Sequence, residues 1–133
     1  MEGEMYKETE LTDKIICCAY NVHNHLGSGF LEKVYENALR IELEDMELKV
    51  AQQEPIRVLY KGQPVGEYFA DLIVEDKVVL ELKALENLLP AHEVQLKNYL
   101  QGCRRELGLL MNFGKKVEVR RKYVAANFGC ATS

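Results

Sequence analysis

The sequence predicts a single α/β domain of the α+β kind, with its elements in the order ααβββαββ. Three observations carry that expectation. Apolar residues in the N-terminal half recur at helical spacing in two segments, and three β-type runs bounded by turn residues follow them. A helix opened by Pro90 then separates those runs from two final strands. With 133 residues, the chain suits one domain, 1–133, able to remove about two thirds of its unfolded surface from water.

Thr12 is the expected N-cap of the first helix, Ile15, Ile16, Ala19, Val22 and Leu26 its apolar stripe, and Gly27 its stop. Ser28 and Gly29 make a short turn. The second helix is expected from about Leu31 to Glu47, with Val34, Tyr35, Ala38 and Leu39 inward and charged residues outward. Strands are expected from Ile56 to Tyr60, Val65 to Val74 and Val78 to Ala84. Lys61-Gly62-Gln63-Pro64 and Glu75-Asp76-Lys77 supply the turns between them. A helix from Pro90 to about Gln101, a strand from Leu107 to Phe113, a Gly114-Lys115-Lys116 turn and a strand from Val117 to Ala125 complete the chain.

Composition narrows the function. Hydrophobic content of 47% and charged content of 29% are those of a globular protein, with no apolar run near membrane-spanning length. The acidic opening MEGEMYKETE lacks the basic flank and apolar core of a secretory signal, so a cytoplasmic protein is expected. Cys17, Cys18, Cys103 and Cys130 have no CxxC spacing, which argues against a zinc site and for core packing of most of them. The net charge of −4 is unevenly spread: residues 1–100 carry 10 Lys/Arg against 19 Asp/Glu, and residues 101–133 carry 7 against 2. The basic tail, with Arg104, Arg105, Lys115, Lys116, Arg120, Arg121 and Lys122, is therefore either a phosphate-meeting patch or a solvated strand face.

The strand VVLELKA poses the chemical question, because it places Glu81 and Lys83 on one face of an otherwise apolar run. An edge strand with one solvated face and a weak ion pair accounts for the pattern taken alone. Asp71, in FADLIV, changes the weighing. If the turn Glu75–Lys77 has three residues, Val74 faces Val78 and Asp71 faces Glu81; a two-residue turn would separate them. Two carboxylates about 4 Å apart repel by roughly 4 kcal/mol at an effective dielectric near 20, more than one lysine offsets. Either a carboxyl takes a proton or a hard divalent cation, magnesium or manganese, sits between them. Two helices offer further groups: His92, Gln95 and Tyr99 share a face of the helix after Pro90, and Glu32 and Tyr35 share one just after Gly29. A polar helix edge and ordinary helix-terminus electrostatics account for these equally well.

GFLEKVY, with Gly29, Glu32 and Tyr35, followed by FAD, ELK, HEVQLKNYL and GLLMNFG, resembles the GxxExxY protein family, placed within the PD-(D/E)xK nuclease superfamily. The likeness runs from about Leu11 to Tyr123. It implies a restriction-endonuclease-like core with a mixed central sheet flanked by helices. By the same resemblance Asp71 and Glu81 are the metal carboxylates, joined by the Leu82 carbonyl and by Glu32, and Lys83 is the catalytic lysine. Gln95 and Tyr99 correspond by that resemblance to the QxxxY element that supports the lysine and contacts nucleic acid. Tyr35, Arg120, Arg121 and Lys122 are the expected nucleic-acid contacts. The superfamily's PD dipeptide is Ala70-Asp71 here.

Three functions compete. First stands a magnesium- or manganese-dependent nuclease hydrolysing phosphodiester bonds in DNA. Next is a module that keeps the nuclease fold but only holds nucleic acid or a protein partner. Last is a small-molecule phosphoesterase using the same pocket. No membrane partner is expected, and a homo-oligomer is left open.

Overall fold

The computed structural model describes residues 8–125, and the eight elements occur in the expected order. They are helices α1 (Thr9–Leu26) and α2 (Glu32–Asp45), strands β1 (Val50–Tyr60), β2 (Gln63–Val74) and β3 (Val78–Lys83), helix α3 (Pro90–Cys103), and strands β4 (Leu107–Phe113) and β5 (Val117–Tyr123). One five-stranded sheet runs in sequence order from β1 to β5. β3 and β4 are parallel and every other neighbouring pair is antiparallel. A parallel pair needs a crossover, and α3 supplies it. The mixed sheet flanked by helices is the restriction-endonuclease-like arrangement.

Alternation along the strands sorts the core into two. Under α1 and α2, residues such as Ile15, Tyr35 and Leu39 pack on Leu72, Leu80 and Leu109. Under α3, Leu96 and Leu100 pack on Ile73, Val79 and Leu110. β3 is covered on both faces, which is why its sequence reads as a near-continuous apolar run. Gly108 lets α3 come down on β4: a Cβ there would stand 3.0 Å from Leu96 Cδ1.

Several boundaries move from their expected places for physical reasons. α1 starts at Thr9, so Thr12 lies inside it; its hydroxyl donates to the Thr9 carbonyl at 3.1 Å and accepts from Arg121 at 2.9 Å. In α2, Val34 is exposed and Glu36 is buried, reversing the expected facing at both positions. β1 begins at Val50 rather than Ile56, and as an edge strand it tolerates Pro55, which lacks a ladder donor. The β1–β2 turn tightens to Lys61-Gly62, both with positive φ, the backbone a two-residue hairpin favours. Between β2 and β3 the three-residue turn forms as expected, with Val74 opposite Val78. Cys18 is buried, Cys103 half-buried and Cys17 exposed, all as free thiols. Cys130 lies outside the described residues.

Candidate active site

β2 changes face at Asp71. Ala70 and Ile73 lie in the core under α3, whereas Leu72 and Val74 lie in the core under α1 and α2; strict alternation would put Ala70 with Leu72. The slip sits opposite Gln53, whose backbone is left-handed at φ 52°. The β1–β2 register pairs Gln52 with Leu72 and Glu54 with Ala70, so Gln53 and Asp71 face each other across a gap in the ladder. On the other side, the β2–β3 ladder runs through Leu72–Leu80 and stops. In register, Asp71 and Glu81 come next. Gln53, Asp71 and Glu81 thus form a row across three strands.

Side chains take over where the ladders open. Asp71 Oδ2 accepts the Leu82 N–H at 2.8 Å, Glu81 Oε1 faces the Asp71 N–H at 3.3 Å, and Gln53 Nε2 lies 3.3 Å from Asp71 Oδ1. Glu81 is only 8% exposed. Burial pushes its carboxyl up to about 8; the Asp71 charge adds to the rise, while the Asp71 N–H and Lys83 oppose it. Asp71 is raised as well, first by burial and then by Glu36 and Glu32, against the Leu82 N–H and the Gln53 amide. Glu32, at the start of α2, acts on both carboxyls. Tyr99 is raised by burial and by the charges of Glu81 and Asp71, and its hydroxyl is hydrogen-bonded to Gln95. Tyr68 stacks on the Tyr99 ring at 3.6 Å between centroids and donates to the Tyr99 carbonyl at 2.7 Å, holding that end of α3 against β2. Asp71, Glu81, Lys83, Glu32 and Tyr99 thus act on one another electrostatically, and Gln95 joins them through the Tyr99 hydroxyl.

A family model for the PD-(D/E)XK nuclease superfamily matches residues 9–122. The chain belongs to the PD-(D/E)XK nuclease superfamily. Among solved structures it is similar to the one titled "Crystal structure of SSO0001", with a TM-score of 0.55 and 19% identity over 90% of this chain and 60% of that one. That likeness is one of fold, and the chain spans 60% of the length of that structure. No curated protein matches. Nucleases of that superfamily generally use divalent metal ions.

The donor chemistry here suits such an ion. Asp71 and Glu81 offer hard carboxylate oxygens, and Glu81 Oε2 has no hydrogen bond to a described residue. Among the described residues no three His, Cys, Asp or Glu side chains form a ready-made cage. Magnesium does not require one, because it binds through one or two carboxylates and keeps several waters.

Glu36 escaped the sequence reading. It is 4% exposed on α2 and takes hydrogen bonds from Gln52 at 2.6 Å, from Gln53 at 3.0 and 3.1 Å, and from Lys33 at 3.2 Å. Its place one turn after Glu32 on the same helix was the available signal. His92, on the same helix as Gln95, is a capping group whose Nδ1 accepts the Leu89 N–H at 3.0 Å.

The expected nucleic-acid contacts need correction. Tyr35 is fully buried, stacked on Phe113 at 4.7 Å; its hydroxyl donates to the Gly27 carbonyl at 2.7 Å and accepts the Phe30 N–H at 3.2 Å. It clamps the loop before Glu32 and offers no surface to a ligand. Gly29, at φ 106°, lets that loop turn. The tail does not form one patch, because strand alternation divides it. Arg120 and Lys122 pair with Glu93 on α3, and Arg120 also with Glu118, while Arg121 reaches Thr12 on α1. Lys115 and Lys116 instead border a cleft of about 800 Å³, which Phe30, Leu31 and Ala84 also line. The cleft adjoins the carboxyl cluster through the chain, since Leu31 precedes Glu32 and Ala84 follows Lys83.

Proposed function

We propose that this protein is a magnesium- or manganese-dependent nuclease that hydrolyses phosphodiester bonds in DNA. The observation that carries the reading is the opened ladder at Asp71 and Glu81. A buried carboxyl, Glu81, and a half-buried one, Asp71, meet there, each facing a main-chain N–H of the other's strand, with a lysine beside them. Burial and neighbouring carboxylates disfavour the ionised form of both groups, and a bound cation would relieve that penalty. Asp71, Glu81 and the Leu82 carbonyl would hold the cation, with Glu32 at its outer side. When bound, it would supply Lewis acidity toward the phosphate and make water a nucleophile near neutral pH. Lys83 orients that water and offers its ammonium to the charge developing on the phosphate oxygens. Gln95 and Tyr99 hold the lysine's surroundings in place. The strand lies in the cleft beside Phe30 and Leu31, with Lys115 and Lys116 on its phosphates.

One observation favours a second reading, a module that binds nucleic acid without cleaving it. With its carboxyl pushed up to about 8, Glu81 carries a proton at neutral pH in the absence of a cation, and a protonated carboxyl is a poor ligand. The two readings part in one experiment. Purified protein is incubated with single- and double-stranded DNA and with RNA, in magnesium, manganese or chelator. DNA cleavage in metal that stops in chelator supports the nuclease, whereas tight binding without cleavage of any polymer supports the module.

A further inference from the structure

We infer that Gln53 is a positioning residue that ties the metal carboxylate Asp71 to the buried Glu36, and so sets the cation affinity of the site. The inference rests on the nuclease reading, because it assigns Asp71 to the cation. Its Nε2 stands 3.0 and 3.1 Å from the two oxygens of Glu36 and 3.3 Å from Asp71 Oδ1, one amide between two carboxylates on different elements. Glu36 cannot relax toward water, being 4% exposed, and Gln52 and Lys33 hold it from other sides. The amide nitrogen is thus anchored on α2 and presented to Asp71.

The backbone shows what that presentation requires. Gln53 lies in the middle of β1 with φ 52°, a conformation that costs a non-glycine residue of order 1 kcal/mol and persists only where the surroundings hold it. It interrupts the β1–β2 ladder at Asp71 alone; the pairs Gln52–Leu72 and Glu54–Ala70 on either side keep their register. Asp71 Oδ1 therefore has a side-chain donor from β1, and Oδ2 a main-chain donor from β3 at 2.8 Å. With both oxygens held, the carboxylate plane is set before any ligand arrives. Partners of this kind, which hold a ligand without touching the metal, typically change metal affinity by about 10- to 100-fold when removed.

The test separates holding the fold from holding the carboxylate. Gln53→Gly suits the left-handed backbone and removes the bridge, and Gln53→Asn also tolerates that backbone but is one methylene too short to reach both partners. Manganese binding is measured by calorimetry on the full chain, together with thermal unfolding of the metal-free proteins. Both variants are expected to weaken manganese binding by about tenfold or more while melting at or above the temperature of the unaltered protein. Glu36→Gln, which loses the anchoring charge, is expected to weaken binding in the same direction. Unchanged manganese affinity in Gln53→Gly and Gln53→Asn overturns the inference and leaves the nuclease reading standing. If the unaltered protein binds no manganese, the nuclease reading falls and the inference with it.

Discussion

The main-chain N–H of Asp71 faces the side-chain carboxyl of Glu81, 3.3 Å away, at the step where the β2–β3 ladder would otherwise continue. The protein exchanges strand pairing for two carboxyls at this point. That exchange costs regular hydrogen bonds and burial of a charge, and it is tolerable because each carboxyl finds a main-chain donor.

Stability without metal should fall as pH rises. The Glu81 carboxyl, ordinarily near 4.5, stands at about 8 in the folded protein, so its favourable contribution is complete below about pH 4.5 and is lost as pH climbs through 8. Asp71 is raised too and acts in the same sense. Between pH 5 and 8 the metal-free protein should lose up to about 1.4 kcal/mol per pH unit for each proton released. Glu81→Gln should flatten most of that slope and raise the melting temperature at pH 8. Denaturant melts at several pH values measure it; a flat or rising curve for the unaltered protein would contradict the burial of an ionisable Glu81.

Lys83→Ala should abolish cleavage while manganese still binds, because the lysine is not a ligand. The expected loss is about 100-fold or more in rate. Calorimetry and a cleavage assay on the same preparation check it. Lost manganese binding in a folded Lys83→Ala protein would mean that the lysine shapes the carboxyl pair rather than the reaction.

Lys115→Ala with Lys116→Ala should weaken DNA binding across all sequences and lower the steepness of its salt dependence by about two. Arg120→Ala should do less, since Arg120 is already paired with Glu93 and Glu118. Fluorescence anisotropy over a salt series distinguishes them. Equal effects of the two variants would restore the tail as the phosphate surface.

Tyr35→Phe keeps the ring stacked on Phe113 but leaves the Gly27 carbonyl and the Phe30 N–H without their partner. A cost of about 1–3 kcal/mol is expected in chemical denaturation. A change below about 0.5 kcal/mol would mean that water replaces the hydroxyl and that the loop is not clamped by it.

Much of the architecture was legible in the sequence. The order of elements followed from the change between helical and strand periods, and the register at Val74–Val78 from the wish to place Asp71 against Glu81. What escaped was mostly decided by tertiary contacts. A glutamate at position 36 reads as a solvated helix residue until Gln52 and Gln53 arrive from β1, and those glutamines sit in a stretch too polar, and too close to Pro55, to announce a strand. The local face change at Asp71 has no sequence signature, since it depends on the left-handed turn of Gln53. The division of the basic tail was in principle readable: Arg120 and Arg121 are adjacent in a strand and must point to opposite faces. Tyr35 shares its motif with Glu32, yet the tyrosine is buried and holds the loop before Glu32 from inside the fold.

The central claim is that Asp71 and Glu81 hold a divalent cation, and the most direct measurement is anomalous diffraction from crystals of the protein soaked in manganese. The account predicts an anomalous peak between the two carboxyls, within coordination distance of both, and its disappearance in Asp71→Ala. A peak elsewhere, or none between Asp71 and Glu81 at saturating manganese and a pH above 8, would contradict it.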